Sequence, residues 1–136
     1  MQVNEQKRFL RLGKPKRKGL HRISFATYYA FLGIKAAWKD EEAFRTECSL
    51  MIILLPFAFW LGESTEQRLL LIISCFVVII TELVNSAIEA AIDRIGAEQH
   101  ALSGQAKDMA AAAVFFSIIL FFIIWGMVAW QRFSGE

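Results

Sequence analysis

Three carboxylates and a carboxamide line one face of the second long apolar stretch of this sequence, and we call them the acidic stripe. They are Glu82, Asn85, Glu89 and Asp93, at relative positions 0, 3, 7 and 11. At about 100° per residue, this spacing keeps all four on one narrow arc of a helix. A carboxylate inside a membrane costs several kcal/mol unless it is paired or solvated. The stripe therefore predicts a functional site, and the structural alternatives are a contact between subunits or a proton relay.

Phosphoryl transfer is a chemistry that suits this stripe. Glu82 would be partly desolvated and could act as general base towards an alcohol at the membrane interface. Glu89 lies nearer to water and suits Mg²⁺, which keeps most of its ligands as water and phosphate oxygens. Lys107, predicted at the start of the third long helix beside Gly104, could hold phosphate charge. Lys107 and Asp108 could equally be an ordinary charge pair at a helix start.

The sequence contains neither a Walker A loop nor the motif set of protein kinases, so any ATP site must be built in another way. One possibility is the loop 96–104, where Glu98, Gln99 and His100 could contact a nucleotide between two helix ends. A lone histidine in such a loop is more often only solvated.

Three apolar stretches must position these residues, and they predict an all-α membrane protein with three transmembrane helices. The predicted spans are about 44–62, 67–93 and 106–131, joined by a tight turn at 62–67 and a longer polar loop at 94–108. The first stretch contains Pro56. It reaches the length of a membrane span only if residues before Cys48 are included. Glu82 is the fourteenth residue from Leu69, about 20 Å along the second helix at about 1.5 Å per residue, and therefore lies within the bilayer.

An amphipathic helix is predicted before the spans, over residues 22–42. Its apolar face comprises Phe25, Tyr28, Tyr29, Leu32 and Ala36. This spacing is typical of a helix that lies on the membrane surface. Lys35 and Trp38 suit the headgroup level, where they could contact lipid.

Charge is distributed unevenly along the chain. The net charge is +2 and the hydrophobic content is 56%, which excludes an ordinary soluble domain. Basic residues concentrate in residues 1–20, predicted to be a flexible cytoplasmic tail before a single membrane domain at 21–136. Beside membrane spans, such a run favours retention in the cytoplasm over nucleic-acid binding. The amino terminus is thus predicted inside and the 94–108 loop on the same side.

Cys48 and Cys75 show no disulfide or zinc pattern.

The segment ELVNSAIEAAIDRIGAEQHALSGQAKDMAAAAV, residues 82–114, resembles the signature of the prokaryotic diacylglycerol kinase family. The resemblance extends to KAAWKDEEAFRTE, residues 35–47, and covers residues 22–130 in order. The form of the segment is more similar to diacylglycerol kinases than to the related undecaprenol kinases.

This resemblance implies a homotrimer of three-helix subunits in the inner membrane that phosphorylates diacylglycerol with Mg²⁺ and ATP at composite sites. Glu82 resembles the catalytic base, and Glu41 with Glu89 resembles the metal-binding pair. The residues implied around ATP are Arg22, Tyr29, Glu41, Asn85, Glu89, Glu98, Gln99, His100, Lys107 and Asp108. Those implied near the lipid are Arg22, Lys35, Trp38, Glu47, Glu82 and Trp125.

The sequence departs from the family after Tyr29, where Ala30 and Phe31 replace the usual serine and tryptophan. A hydroxyl expected to face the nucleotide is therefore missing.

Two other functions compete with diacylglycerol phosphorylation: an undecaprenol kinase with the same chemistry, and a non-enzymatic oligomer that conducts ions along the acidic stripe.

Overall fold

The computed structural model describes residues 20–95 and 100–135, with the side chains of residues 23–95 and 100–135. The described residues form four helices, α1 (Leu20–Asp40), α2 (Glu42–Leu61), α3 (Thr65–Ile95) and α4 (Ala101–Ser134). The all-helical prediction is confirmed, whereas the predicted tail, apart from Leu20, lies outside the described residues. The part of α1 up to Ile34 and the chain from Lys35 onwards form two compact units, and the single membrane domain at 21–136 stays a prediction.

Three of the helices are long and apolar enough to cross a membrane, as predicted. These are α2, α3 and α4, judged by length and composition. Pro56 lies inside α2, where it removes one backbone hydrogen bond. Proline is tolerated in membrane helices when neighbouring groups satisfy the freed backbone. The position of α1 on a membrane surface stays a prediction.

Helices α3 and α4 pack antiparallel through a ladder of polar contacts. The pairs are Gln67 with Gln131 (3.1 Å), Ser74 with Trp125 (3.1 Å), Thr81 with Ser117 (2.9 Å) and Asp93 with Lys107. In every pair the two residue numbers add up to between 198 and 200, so one register holds along the whole interface. The first three α3 members are seven residues apart, the repeat of left-handed helix packing.

The turn between α2 and α3 is closed by a capping box. The Gln67 N–H donates to Ser64 Oγ (3.2 Å), and Gln67 Oε1 accepts from the backbone N–H of Ser64 (3.4 Å) and of Glu63 (2.8 Å). This reciprocal pattern satisfies backbone donors that a helix start leaves free. Arg68 Nε also donates to the Gly62 carbonyl at 2.9 Å. The turn therefore fixes α2 beside α3 with three residues.

The buried core lies near this turn. It comprises Ala58, Leu61, Leu71, Cys75, Trp125 and Val128. At the same end, Arg132 of α4 forms an ion pair with Glu63 (2.9 Å) and lies 5.5 Å from the centre of the Trp60 ring. All three spans are thus joined at the end of the bundle opposite to Glu82.

The fourth helix begins earlier than the sequence predicted. It starts at Ala101 instead of about 106, because His100 caps it: the Nδ1 atom accepts from the Leu102 N–H at 3.2 Å. Alanine, leucine, glutamine and lysine in this segment are good helix formers, and they outweigh the loop signal of Gly104. The predicted 94–108 loop is correspondingly shorter, and Lys107 lies in the second turn of α4 instead of at its start.

The turn gives a prediction for Gly62. A Cβ atom there would lie 2.8 Å from Arg68 Cγ and 3.0 Å from Arg68 N. Because a crowded site must shift backbone and side chain, we expect Gly62→Ala to cost about 1–3 kcal/mol of stability. Thermal unfolding in detergent would measure it, with Gly33→Ala as control, since a Cβ at Gly33 meets nothing within 4 Å. Equal melting temperatures for both variants would contradict the expectation.

Candidate active site

The acidic stripe runs along α3 from the buried interior to the exposed helix end. Glu82 is 6% exposed, Asn85 and Glu89 are half-buried, and Asp93 is exposed. The Asn85 Nδ2 donates to Glu89 Oε1 at 3.1 Å, so these two side chains share a face as the spacing predicted. The helix itself therefore delivers the stripe, since residues three and four apart are neighbours on its surface.

Two further carboxylates join Glu82 from the chain before and within α2. The charges of Glu41 and Glu89 act on Glu82, and Glu47 interacts with it as well. Glu41 is the single residue between α1 and α2. Helix periodicity could not identify it, and only the family resemblance pointed to it. Glu41 and Glu47 thus add to the negative charge that Glu82 and Glu89 place at this end of α3.

Buried polar atoms without a hydrogen-bond partner cluster around Glu82. Among the described residues, Glu47 Oε2, Asn85 Oδ1 and Ser86 Oγ are buried and make no hydrogen bond. Each such atom costs about 1–3 kcal/mol, and native proteins contain few of them. Asn85 and Ser86 are three and four residues from Glu82 on α3, so these unpaired atoms lie close to the buried carboxylate.

The donor set is compatible with Mg²⁺. In the described part of the chain, no group of three or more His, Cys, Asp or Glu side chains is placed to hold a metal ion. Mg²⁺ needs only one or two carboxylates when phosphate and water supply its other ligands. Glu41 and Glu89 are both close enough to Glu82 for their charges to act on it, and this local excess of negative charge favours a cation nearby.

Lys107 and Asp93 form an ion pair that links α4 to the outer end of the stripe. The Lys107 charge also interacts with Glu89. The lysine side chain is 37% exposed and that of Asp93 is 67% exposed, so solvent screens the pair and it contributes little stability. Sequence spacing identified both residues but not their pairing. The ammonium group is nevertheless kept next to the carboxylates of the stripe.

Two further predicted nucleotide contacts, His100 and Asp108, lie at the amino-terminal end of α4. Asp108 is exposed on α4, and His100 caps that helix. Glu98 and Gln99 lie outside the described residues, as does the side chain of Arg22. Their roles stay predictions.

The predicted residues on α1 fall into two groups. Tyr29 belongs to the unit that ends at Ile34, where its ring centre lies 6.3 Å from that of Phe25 and 5.7 Å from that of Tyr28. Lys35 and Trp38 lie in the second unit, exposed near the carboxyl end of α1. A nucleotide or lipid role for these residues is untested.

An apolar cavity of about 220 Å³ lies between the three spanning helices. Its lining comprises Glu47, Leu50, Met51 and Leu54 of α2, Cys75, Val78 and Ile79 of α3, and Ile118, Phe121 and Phe122 of α4. Glu47 is the single charged residue in this lining, and it interacts with Glu82. The carboxylate cluster therefore borders a space suited to hydrocarbon.

Trp125, implied near the lipid by the resemblance, lies in the buried core, next to Phe121 of the cavity lining. It is 8% exposed, and its rings stack with those of Phe121 (5.1 Å) and Phe57 (6.0 Å). Its Nε1 donates to Ser74 Oγ, and this hydroxyl donates in turn to the Leu71 carbonyl. The structure gives Trp125 a packing role, and its contact with lipid stays a prediction.

Comparison with known proteins agrees with the resemblance seen in the sequence. The family model for prokaryotic diacylglycerol kinase matches residues 28–129. Diacylglycerol kinase of Haemophilus influenzae is 46% identical over 111 residues, which cover 82% of this chain and 94% of that protein. Diacylglycerol kinase of Escherichia coli is 46% identical over 116 residues, covering 85% and 95%. That of Pseudomonas aeruginosa is 44% identical over 110 residues, covering 81% and 89%.

The hydrogen bond of Trp125 yields a stability prediction. Ser74→Ala would leave the buried indole N–H without its acceptor, which costs about 1–3 kcal/mol. We expect a lower melting temperature in detergent, read by circular dichroism. Ser49→Ala is the control, because that exposed hydroxyl bonds only to the Arg45 carbonyl of its own helix. If Ser49→Ala lowered the melting temperature as much, the Trp125 bond would not be the cause.

Proposed function

Because the chain belongs to the prokaryotic diacylglycerol kinase family, we propose that it phosphorylates 1,2-diacyl-sn-glycerol with ATP, giving phosphatidate and ADP. ATP as co-substrate follows from kinase chemistry. The observation that supports this function best is Glu82, a buried carboxylate on a spanning helix, beside an apolar cavity and three more carboxylates. A proton acceptor that lies between an apolar cavity and a group of charged side chains suits a substrate with hydrocarbon chains and an alcohol group.

Glu82 acts as the general base. It accepts the proton of the free lipid hydroxyl while that oxygen forms a bond to the γ-phosphorus, and the bond from phosphorus to the bridging oxygen of ADP breaks in line. Its carboxylate lies on the rigid helix α3, which holds it at one position relative to the cavity. Positioning of this kind supplies much of the rate enhancement in phosphoryl transfer.

The nucleotide binds where the stripe reaches the end of α3. Glu41 and Glu89 would hold Mg²⁺, and the bound ion would neutralise charge on the phosphates. Lys107 adds a positive charge beside Glu89. The further nucleotide contacts that we propose are Arg22, Tyr29, Asn85, Glu98, Gln99, His100 and Asp108. Tyr29 must act without a hydroxyl at position 30, since Ala30 follows it.

The lipid approaches from the membrane and places hydrocarbon against the apolar lining near Glu47. The space of about 220 Å³ matches part of one acyl chain, while the rest of the lipid stays in the bilayer. Its polar end then lies next to Glu82. Arg22, Lys35, Trp38 and Trp125 are the other residues that we assign to the lipid.

The active assembly is a homotrimer in the inner membrane, with the amino terminus and the end of α3 on the cytoplasmic side. Supporting this orientation, the basic residues of the chain concentrate before the first span. Supporting an oligomer, Asn85 Oδ1 and Ser86 Oγ are buried without hydrogen-bond partners among the described residues. A neighbouring subunit could satisfy these atoms and complete the site.

Glu82→Gln tests the proposed base. A general base contributes about 10²–10⁴-fold to a rate, so we expect kcat to fall by at least about 100-fold while the oligomer size is retained. The measurement is transfer of labelled phosphate from Mg-ATP by purified protein in mixed micelles. Diacylglycerol and undecaprenol are offered separately. Glu66→Gln is the matched control, an exposed glutamate in the first turn of the same helix.

Each outcome of this assay has a distinct meaning. Phosphatidate formed by wild type and by the control, but not by Glu82→Gln, supports both the substrate and the base. Undecaprenyl phosphate alone would make the protein a polyprenol kinase with the same mechanism. No phosphorylation of either lipid, together with ATP-independent ion flux in liposomes, would favour the conducting oligomer.

The cavity gives a separate prediction about the lipid. Val78→Phe adds bulk to its lining, and we expect KM for diacylglycerol to rise about tenfold with KM for ATP unchanged, because one pocket contact is worth about 1–3 kcal/mol. The control is Ile80→Phe, an exposed position nearby that is not part of the lining. Equal lipid KM values for the two variants would show that substrate does not use the cavity.

A further inference from the structure

The chain between α1 and α2 breaks at a single residue, Glu41. Its backbone is extended, with φ −110° and ψ 114°. Its N–H still donates to the Ala37 carbonyl at 2.9 Å, and its carbonyl accepts from the Arg45 N–H at 3.3 Å. Helical hydrogen bonds therefore continue on both sides of Glu41. The extended backbone of this one residue separates the two helices, with no further loop residue between them. The orientation of the Glu41 side chain depends on how firmly this one junction is held.

Arg45 holds the junction from the first turn of α2. Its Nη1 donates to the carbonyls of Trp38 and Lys39, both at 3.0 Å. The last carbonyls of a helix lack intrahelical partners, and a positive charge at this end opposes the helix dipole favourably. A guanidinium group stays charged under all physiological conditions. Arg45 thus caps the end of α1 with a side chain that begins on the next helix.

The Glu41 carboxylate takes no part in this capping. Although Glu41 is the residue before the first turn of α2, its side chain makes no capping hydrogen bond to that helix. Its charge instead acts on Glu82. The cap thus fixes the backbone at Glu41, while the carboxylate stays free of capping bonds and near enough to Glu82 for its charge to act there.

We propose that Arg45 is a positioning residue, which caps α1 across the one-residue break and thereby holds the Glu41 carboxylate towards Glu82 and Glu89. The proposal rests on the function proposed above for Glu41 at the metal and nucleotide. This role differs from that of an ordinary interfacial arginine, whose charged group would extend to lipid headgroups. A headgroup role requires only charge, whereas capping requires a donor within reach of two carbonyls on another helix.

Four variants separate these roles: Arg45→Ala, Arg45→Lys, Glu41→Gln and the double variant Glu41→Gln/Arg45→Ala. The first measurement is the Mg-ATP dependence of lipid phosphorylation at saturating diacylglycerol. We expect Arg45→Ala to raise KM for Mg-ATP about tenfold, the equivalent of one hydrogen bond to a charged group. KM for diacylglycerol should stay unchanged, and Arg45→Lys should recover only part of the loss.

The double variant identifies the residue through which Arg45 acts. If Arg45 works through Glu41, removing both should be no worse than Glu41→Gln alone, within about twofold. Independent residues would instead multiply their effects. A structural readout accompanies the kinetics: amide hydrogen exchange of residues 36–42, followed by mass spectrometry, should quicken in Arg45→Ala and stay unchanged in α3 and α4.

Four results would overturn the proposal. Multiplicative kinetic effects would separate Arg45 from Glu41, and unchanged exchange at residues 36–42 would remove the cap. Full recovery by Arg45→Lys in both measurements would leave only a charge role. Glu41→Gln with wild-type kinetics would refute the function proposed for Glu41 as well, even if faster exchange in Arg45→Ala still demonstrated the cap. Should Arg45→Ala not fold, Arg45→Lys provides the same comparisons.

Discussion

The cost of keeping a carboxylate out of water governs the arrangement of this protein. Glu82 is buried on a helix suited to cross a membrane, where a charge without compensation is expensive. The rotation of α3 decides what surrounds it. Thr81 hydrogen bonds to Ser117 of α4, and consecutive helix residues point about 100° apart. Glu82 is therefore directed away from that contact, and it interacts with Glu47 of α2.

The register between α3 and α4 is what keeps this rotation fixed. Lipid supplies little hydrophobic drive for helices to associate, so close packing and side-chain hydrogen bonds hold them together. The Ser74 and Thr81 contacts lie seven residues apart on the same side of α3. The same register brings Ala110, which is buried, to the level of Glu89. Alanine at this buried position is in keeping with the small residues that membrane helices place at their interfaces.

Sequence patterns identified the elements and the stripe, because both depend on periodicity within one helix. The three spans and the shared face of Asn85 and Glu89 follow from such spacing, whereas the depth of Glu82 in the bilayer stays a prediction. The Trp125 contact with Ser74 and the Arg45 cap join residues from different helices or across a break, and no local pattern encodes them. The early start of α4 was missed because a histidine cap is a weaker signal than the polar composition of the segment. Helix periodicity could not single out Glu41, because its surroundings come from residues distant in the sequence.

The three-residue turn between α2 and α3 has a consequence for how the chain enters a bilayer. Helix α2 is the shortest of the three spans and contains Pro56 and several charged residues in its first two turns, so it would partition into lipid poorly alone. The turn closed by Ser64 and Gln67 is too short for α3 to cross the bilayer while α2 stays in water on the other side. The two helices are therefore suited to insert together as a helical hairpin, with the apolar α3 drawing α2 across during biogenesis.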